Sequence, residues 1–219
     1  MVTVAAAVVA VITVPGAAHA QQVVDPVPAQ VRVPLRKAIA ALPVATEVRD
    51  GYVRTKFKHW VDSDSNGCNT RAEVLLAEAT IAPETTGRCT IGEGRWHSYY
   101  DNVDVDKAGG LDIDHMVPLA EAWDSGAFDW TPQRRQDYAN DLGESRALVA
   151  VTAKTNRSKS DQDPATWLPP DPDAVCTYLA DWVTVKTRWH LSVDEPEQQT
   201  LTARAQQCPN DPITTTLVP

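Results

Sequence analysis

The stretch that decides the fold lies near the middle of the chain and reads Leu111-Asp112-Ile113-Asp114-His115-Met116-Val117-Pro118-Leu119. Apolar and polar residues alternate through its first five positions, which is the period of a β-strand. Alternation places both aspartates on one face of the strand and Ile113 and His115 on the other. At the end of the strand the ring of His115 can leave the pleat beside Asp114. A carboxylate there could hold a divalent metal while the histidine takes a proton from water.

An Asp-His dipeptide alone is weak evidence, because such a histidine is more often a hydrogen-bonded residue near the core. Two later segments strengthen it. The apolar run Leu148-Val149-Ala150-Val151 predicts a second strand, and the polar run Thr152-Ala153-Lys154-Thr155-Asn156-Arg157-Ser158-Lys159-Ser160-Asp161 predicts a turn into a short helix. Together the three segments predict a strand–strand–helix unit around one ion.

Several short motifs in a fixed order carry a resemblance to a known family: Asp114-His115-Met116-Val117-Pro118-Leu119, Asn140-Asp141-Leu142, Asn156-Arg157-Ser158-Lys159-Ser160-Asp161, Asp163-Pro164 and Trp167-Leu168-Pro169-Pro170. The set resembles the HNH endonucleases. Within them it is similar to secreted actinobacterial proteins whose nuclease domain resembles the C-terminal domain of the GmrSD-type restriction enzymes. The resemblance covers residues 52–208. It implies an α+β fold with a ββα-metal (His-Me finger) core at residues 111–161, flanking helices, and metal-dependent phosphodiester cleavage.

The resemblance also implies roles for individual residues. His115 is expected to be the general base that activates water, and Asp114 and Asn156 are expected to be metal ligands. Many relatives have histidine where this chain has Asn156, so the ligand set departs from the family's pattern there. With only two ligands from the protein the ion would keep several waters, which suits Mg²⁺ or Mn²⁺ better than a closed zinc site.

Three further residues are catalytic candidates. Asn140 is the nearest match to the central asparagine that braces the base histidine in relatives. That asparagine usually sits just before the second strand, where this chain has Arg146-Ala147. Lys159 lies on the basic helix after the second strand. Arg71 could stabilise the extra negative charge on the phosphate in the transition state.

Residues 62–73 match the calcium-loop pattern D-x-[DN]-x-[DN]-G-x5-E, with oxygen ligands at Asp62, Asp64, Asn66 and Glu73. A glycine fills the sixth position, where the loop turns sharply. The alternative is an Asp/Asn/Gly turn pinned by a disulfide, because Cys68 lies inside the loop and no second loop exists to pair with it. A structural Ca²⁺ ion and a metal-free turn both stay open.

The amino-terminal segments predict export. Residues 1–20 carry no acidic or basic side chain apart from His19 and end in Ala18-His19-Ala20, a small-x-small cleavage pattern, so we expect a secretory signal peptide. The segment lacks the usual Lys or Arg near its start, and an uncleaved membrane anchor is the alternative. Proline-rich residues 21–44 predict a flexible or extended leader. A nuclease domain at 45–210 and a tail at 211–219 complete the predicted organisation.

Four cysteines, an even number in a chain expected to be exported, predict two disulfide bonds. Three pairings are possible. Sequence nearness favours Cys68 with Cys89 and Cys176 with Cys208, each bond worth about 3 kcal/mol of denatured-state entropy. A zinc site is disfavoured because no two of the cysteines form a C-x-x-C pair.

The remaining segments predict more strands and helices: a strand at 94–100, an acidic turn-rich loop at 101–110, and helices at 71–79, 119–123, 131–142, 173–190 and 195–207. The helix at 173–190 carries an apolar and aromatic stripe at helical spacing, which indicates core. Aromatic and basic residues interleave at 52–61. That mixture fits either contact with bases and phosphates or an amphipathic segment whose rings join the core.

The net charge of −9 at pH 7 argues against strong general binding to nucleic acid. Locally, however, Lys154, Arg157 and Lys159 surround the predicted site. We therefore predict an exported, monomeric, disulfide-bonded and metal-dependent endonuclease acting on DNA or RNA, without stable membrane association after cleavage. Two alternatives stay open: a non-catalytic, calcium-stabilised cell-envelope binding module, and a metal-dependent hydrolase of another exported polymer.

Overall fold

The structure is a computed structural model that describes residues 1–3 and 29–219. The predicted signal peptide, apart from its first three residues, and the first part of the predicted leader lie outside the described residues. Within the described ranges, no helix combines the length and the apolar character that a membrane crossing needs.

The described chain is made of short strands and helices. The strands are β1 (Gln30–Pro34), β2 (Thr85–Thr86), β3 (Thr90–Ile91), β4 (Glu93–Ser98), β5 (Val103–Lys107), β6 (Leu111–His115), β7 (Leu148–Thr152) and β8 (Pro212–Thr216). The helices are α1 (Leu35–Ala41), α2 (Thr70–Glu78), α3 (Leu119–Asp124), α4 (Pro132–Ala139), α5 (Ala153–Lys159), α6 (Val175–Trp189) and α7 (Glu195–Ala205). These strands form antiparallel pairs, β1 with β8, β2 with β3, β4 with β5 and β6 with β7. The fold is a mixed α/β arrangement.

The β6–β7 pair lies at the centre of this arrangement, and its register sets His115 opposite Leu148. Both faces of β7 are covered: Ala150 packs with Trp96 in a smaller apolar cluster, whereas Val149 packs in the main core. Double burial explains why this strand is uninterruptedly apolar instead of alternating. Both strands predicted here are confirmed, and α5 follows β7 directly, as the sequence predicts.

Helix α6 is the axis of the main core. Its aromatic residues Tyr178, Trp182 and Trp189 are almost fully buried, which confirms the stripe predicted from helical spacing. The ammonium group of Lys186 is buried on the same helix and donates hydrogen bonds to the carboxylate of Glu197 on α7 and to one on α3. The core therefore has a polar centre that joins three helices.

The prediction of a flexible or extended leader is wrong for the described part of residues 21–44. Strand β1 pairs with β8 along its whole length, and helix α1 buries Leu35 and Ile39 in the main core. The predicted tail at 211–219 is corrected in the same way, because it supplies β8. The prolines suggested irregular structure, but they lie at the ends of strands, where a missing N–H is tolerated. Pro34 ends β1 and Pro212 begins β8.

The acidic residues 101–110, expected to form a loop, include strand β5. Its aspartates form cross-strand pairs with β4: Asp104 lies 2.9 Å from Nδ1 of His97, and Asp106 lies 2.8 Å from Nε of Arg95. Arg95 and Asp106 form an ion pair across the two strands, and His97 and Asp104 form a hydrogen bond at facing positions. Such cross-strand pairs fit a polar segment to a two-stranded ribbon.

Both predicted disulfides are present, Cys68 with Cys89 and Cys176 with Cys208. The first joins the segment before α2 to the β2–β3 hairpin. The second joins the start of α6 to the chain just after α7. Two disulfides in a chain of this size are typical of proteins in oxidising compartments.

Glu78, at the end of α2, ties that helix to the central strand pair. Its carboxylate accepts a hydrogen bond of 2.8 Å from the backbone N–H of Ala150. Burial raises the pKa of Glu78 from 4.5 to about 7. The group is therefore harder to ionise in the folded than in the unfolded chain. Its contribution to stability is fully present below pH 4.5 and is lost as the pH rises through 7.

We predict that Glu78→Gln, which keeps an acceptor oxygen but cannot ionise, stabilises the protein at alkaline pH by about 2 kcal/mol. Thermal unfolding, followed by circular dichroism between about pH 5 and pH 8, measures the effect. Glu93→Gln on exposed β4 is the matched control. Identical pH dependence of the melting temperature in wild type and Glu78→Gln would contradict the prediction.

Candidate active site

A cleft of about 460 Å³ opens at the end of β6. Asp114 and His115 line it from the strand, and Asn156 lines it from α5. The three side chains that the sequence predicts to converge therefore border one space. Its other walls include Tyr52, Arg54, Pro118, Leu119, Arg157 and Asp161.

The turn from β7 into α5 brings Asn156 to this cleft. Thr152 ends the strand and caps the helix, because its hydroxyl accepts a hydrogen bond from the N–H of Thr155. The hydroxyls of both threonines also donate to the carboxylate of Asp101. With no loop between strand and helix, α5 packs back against β6.

His115 is only 6 % exposed, and its Nε2 lies 3.0 Å from the carbonyl oxygen of Ala139. Burial lowers the pKa of His115 from 6.5 to about 3, so the ring is neutral near pH 7 and carries one proton. The carbonyl oxygen can only accept, which assigns that proton to Nε2 and leaves a lone pair on Nδ1. This is a tautomer that can act as a general base.

Two aromatic side chains cover the His115 ring. The ring of Trp60 lies 5.5 Å from it at an interplanar angle of 30°, and the ring of His59 meets it edge-on at 6.3 Å. Trp60 has a φ of 60°, a left-handed conformation that strains a residue with a side chain. Strained backbone persists only where surrounding contacts enforce it.

Asn140 supplies those contacts. Its Nδ2 donates to the carbonyl of Lys58 at 2.8 Å, and its Oδ1 accepts from the N–H of Val61 at 3.0 Å, so it holds the chain on both sides of Trp60. Two further hydrogen bonds join it to α4 and to the start of α2. The side chain has no hydrogen bond to His115 among the described residues. The brace that resemblance assigned to it comes from the backbone carbonyl that precedes it.

Lys159 holds the carboxylate of Asp114 in place. Its fully buried ammonium group donates to Oδ2 of Asp114 at 2.5 Å and to the carbonyls of His115 and Met116 at 2.9 Å each. The hydroxyl of Tyr100 donates to the same carboxylate oxygen at 2.6 Å. Burial raises the pKa of Asp114 and lowers that of Lys159, while their mutual attraction opposes both changes. Three acceptors saturate the ammonium, so the geometry makes Lys159 a positioning residue.

Asn156 is oriented by the other aspartate of β6. Its Nδ2 lies 3.3 Å from Oδ2 of Asp112, which also accepts from Nε of Arg157 at 3.3 Å. Because the amide nitrogen is engaged, the amide oxygen Oδ1 stays available. It makes no hydrogen bond within the described part of the chain.

Arg71 is not among the residues that line the cleft. Its guanidinium donates to the carbonyls of Ala108 and Leu111 at 3.1 and 3.0 Å, which holds the entry to β6. The structure thus gives this arginine a role in positioning the strand. It offers no support for the predicted contact with a phosphate.

Three of the four predicted calcium ligands, Asp64, Asn66 and Glu73, are joined by hydrogen bonds in the 62–73 loop, whereas Asp62 bonds to the backbone. Nδ2 of Asn66 donates to Asp64 at 2.9 Å and to Glu73 at 2.8 Å, and Asp62 accepts from the N–H of Gly67 at 3.0 Å. The glycine has a φ of +97°, as the sharp turn at the sixth position requires. In this arrangement an amide group joins the two carboxylates. Calcium binding by the loop stays a prediction.

Sequence reasoning gave no individual role to three polar residues of the cleft, Tyr52, Arg54 and Asp161. Residues 52–61 lie partly at the cleft and partly in the core. Tyr52 and Arg54 line the cleft, whereas Phe57 is fully buried in the core. Asp161 also lines the cleft and binds Arg49 at 2.8 Å. Asp161 is the last residue of the motif that begins at residue 156. From its position in the sequence alone, it resembles an ordinary turn residue.

Comparison with known proteins identifies the class. Residues 61–204 match the family described as GmrSD restriction endonucleases, C-terminal domain, and the chain belongs to this family. The predicted family is confirmed, and membership suggests a nuclease-type function on a nucleic acid. An uncharacterized secreted protein of Arthroderma benhamiae is 40 % identical over 188 residues, which cover 84 % of this chain and 91 % of the relative. No solved structure matches the chain.

We predict that Asn140→Ala destabilises the protein by about 1–3 kcal/mol, because it leaves partly buried groups around Trp60, such as the N–H of Val61, without their partner. Chemical denaturation followed by tryptophan fluorescence measures the loss. Gln133→Ala, on the exposed face of α4, is the control. Unchanged stability of Asn140→Ala would refute the structural role assigned here.

Proposed function

We propose that the protein is an exported, metal-dependent endonuclease that hydrolyses phosphodiester bonds of DNA, or of RNA, with His115 as general base. One observation carries the proposal. A neutral histidine, held through Nε2 by a backbone carbonyl, shares a cleft with the oxygens of Asp114 and Asn156. The nuclease-type function of the family supports the reaction class. Strands β6 and β7 with helix α5 are the proposed ββα-metal finger.

His115 would act through Nδ1. As a water oxygen attacks phosphorus, Nδ1 takes the proton, and the carbonyl of Ala139 stabilises the imidazolium through Nε2–H. In the free protein burial keeps the pKa of His115 at about 3, which disfavours a charged ring. An anionic phosphate beside the ring raises that pKa, since opposite charges favour the protonated form. Substrate binding thus strengthens the base.

Asp114 and Asn156 are the residues that would hold the metal. Oδ1 of each makes no hydrogen bond to any residue that the structure describes, while the other polar atom of each side chain is engaged. Oxygen donors of this kind fit Mg²⁺ or Mn²⁺. Such an ion supplies polarisation of the scissile phosphate and stabilisation of the leaving 3′-oxygen, and family resemblance implies 5′-phosphate ends.

The charge of the finger favours joint binding of metal and phosphate. Lys159 neutralises Asp114, and Arg157 lies 3.3 Å from Asp112, so little negative charge remains to attract an ion alone. Mg²⁺ commonly completes its coordination with substrate phosphate oxygens. We therefore expect weak metal binding without nucleic acid and tighter binding with it.

Cationic side chains at the cleft are proposed to meet the nucleic acid backbone. Arg54 and Arg157 both line it and are exposed, and Tyr52 offers a half-buried ring beside them. Contacts with phosphate make affinity dependent on salt, and the net charge of −9 means that the protein as a whole does not attract nucleic acid. Activity should therefore fall steeply as salt rises.

Export to an oxidising compartment is part of the proposal. The two disulfides support it, and the relative from Arthroderma benhamiae is described as secreted. We propose that residues 1–20 are a cleaved signal peptide. The released protein would act as a monomer without stable membrane association.

A second candidate function rests on the 62–73 loop, where three of the four predicted ligands of Ca²⁺, Asp64, Asn66 and Glu73, are joined by hydrogen bonds. In that case the protein is a calcium-stabilised binding module of the cell envelope without catalytic activity. The two candidates differ in one outcome, which is cleavage of nucleic acid by the purified protein.

We predict that His115→Ala lowers the rate of plasmid cleavage with Mg²⁺ or Mn²⁺ by roughly 10²–10⁴-fold, because it removes the histidine that lines the described cleft. Agarose gels over time measure the rates, and a chelator should abolish cleavage by the wild type. His97→Ala, on exposed β4, is the control and should cleave normally. If His115→Ala cleaves as fast as the wild type, His115 is not the general base. If the wild type itself does not cleave, the binding module is favoured.

We predict that Arg54→Gln raises KM for plasmid DNA roughly tenfold and reduces the salt dependence of cleavage by about one phosphate contact. Initial rates across a salt series give both quantities. The control is Arg95→Gln, whose side chain pairs with Asp106 away from the cleft. If both variants show the wild-type salt dependence, Arg54 does not contact phosphate.

A further inference from the structure

The turn between β4 and β5 contacts both halves of the candidate active site. In this turn the hydroxyl of Tyr100 donates to Oδ2 of Asp114, on β6, at 2.6 Å. The next residue, Asp101, accepts hydrogen bonds from two hydroxyls where β7 passes into α5, one of them from Thr155 at 2.7 Å. Neither turn residue is among those that line the cleft. Two adjacent residues therefore reach the strand and the helix that carry the proposed metal ligands.

Three hydroxyl groups surround the carboxylate of Asp101. Oδ1 accepts from Ser98 at 2.6 Å, and Oδ2 accepts from both Thr152 and Thr155. Burial disfavours the charged form, but the three donors outweigh it and lower the pKa of Asp101 below its usual value. Hydrogen bonds to a charged acceptor are roughly twice as strong as those between neutral groups. The contact with Ser98 is local to the turn, whereas the threonines lie 51 and 54 residues away, so the carboxylate does more than cap its own turn.

The turn that carries Asp101 is itself held firmly. The ring of Tyr100 is fully buried in the main core and meets the ring of Tyr178 edge-on at 5.5 Å. Its backbone carbonyl accepts from the N–H of Asp171 at 3.1 Å. A residue can position another group only if it is fixed in place, and these contacts meet that condition.

Asn156 depends on such support because its own side chain is loosely held. Within the described residues its amide makes one hydrogen bond, from Nδ2 to Asp112, at a long 3.3 Å. Asn156 directly follows Thr155 in the first half of α5, a helix of seven residues. A shift at the start of so short a helix therefore moves Asn156 within the cleft.

We propose that Asp101 is a positioning residue of the metal site, because its contact with Thr155 fixes Asn156 relative to Asp114. The inference rests on the proposed function, which assigns both ligands to one ion. Tyr100 holds one ligand and Asp101 holds the helix of the other, so a single turn sets their separation. Mg²⁺ tolerates only small departures from its preferred geometry. Loss of a group that orients a metal ligand typically lowers metal affinity or activity 10–100-fold.

Binding of Mn²⁺ tests the inference without any need for cleavage. The whole secreted chain is labelled with nitrogen-15, and Mn²⁺ is added while the side-chain amide signal of Asn156 is followed by NMR. Asn156→Asp identifies that signal. Paramagnetic broadening needs only a small bound fraction, so it detects weak binding. In Asp101→Ala the Mn²⁺ concentration for half broadening should rise at least roughly tenfold. Asp104→Ala, which removes a neighbouring carboxylate on exposed β5, is the control and should match the wild type.

Variants of Thr155 test the route of the effect. Thr155→Val removes the hydroxyl but keeps the shape and should weaken Mn²⁺ binding as Asp101→Ala does, whereas Thr155→Ser keeps the hydroxyl and should bind normally. The double variant Asp101→Ala/Thr155→Val should bind no more weakly than the weaker single variant, since both changes break the same contact. Near-ultraviolet circular dichroism checks folding, and Thr155→Val decides the question if Asp101→Ala does not fold.

Cleavage assays separate this inference from the proposed function. Asp101→Ala should need at least roughly tenfold more Mn²⁺ for half-maximal cleavage, and excess Mn²⁺ should restore its rate but not that of His115→Ala. A wild type that binds Mn²⁺ beside Asn156 in the predicted order of variants, yet cleaves no nucleic acid, contradicts the proposed function and supports the positioning role. Wild-type Mn²⁺ dependence of the Asn156 signal in both Asp101→Ala and Thr155→Val overturns the inference, as does a wild-type signal that Mn²⁺ does not broaden.

Discussion

The candidate site depends on one buried ion pair. The ammonium group of Lys159, at the end of α5, binds the carboxylate of Asp114 and the carbonyls of His115 and Met116, at the end of β6. It therefore fixes the helix of the finger against the strand that carries the proposed base and metal ligand. Removing one partner of such a pair would leave an uncompensated buried charge, at a cost of about 3–5 kcal/mol. Neither residue needs to touch substrate for this constraint to control the geometry of the site.

Much of the fold could be predicted because local patterns and cysteine spacing agree with the tertiary structure. The strand alternation at Leu111 and the apolar run at Leu148 predicted β6 and β7, and the four cysteines pair as sequence nearness favours. The ends of the chain were misjudged because β1 and β8 stabilise each other across almost the entire sequence. Neither segment has a strong sequence pattern of a strand. Pairing between two distant segments cannot be recognised from the sequence of either segment alone.

The candidate site was predicted in composition but not in its supporting contacts. The Asp-His dipeptide and the family resemblance predicted that Asp114, His115 and Asn156 converge, and the structure places all three in one cleft. They could not show that a main-chain carbonyl braces the histidine, because backbone groups carry no sequence signature. For the same reason Asn140 was assigned to the histidine, although it clamps the strained backbone around Trp60. Side-chain chemistry is visible in a sequence, whereas the direction in which a side chain bonds depends on the tertiary fold.

The central claim is that the ring of His115 is neutral, with its proton on Nε2 and a free lone pair on Nδ1. Nitrogen-15 NMR of the histidine rings, with His115→Ala used to assign the signal, tests this directly. The structure predicts that the His115 signals show an unprotonated Nδ1 and a protonated Nε2 throughout about pH 5–8, since burial lowers the pKa to about 3. An imidazolium within that range, or a neutral ring with its proton on Nδ1, would contradict the account.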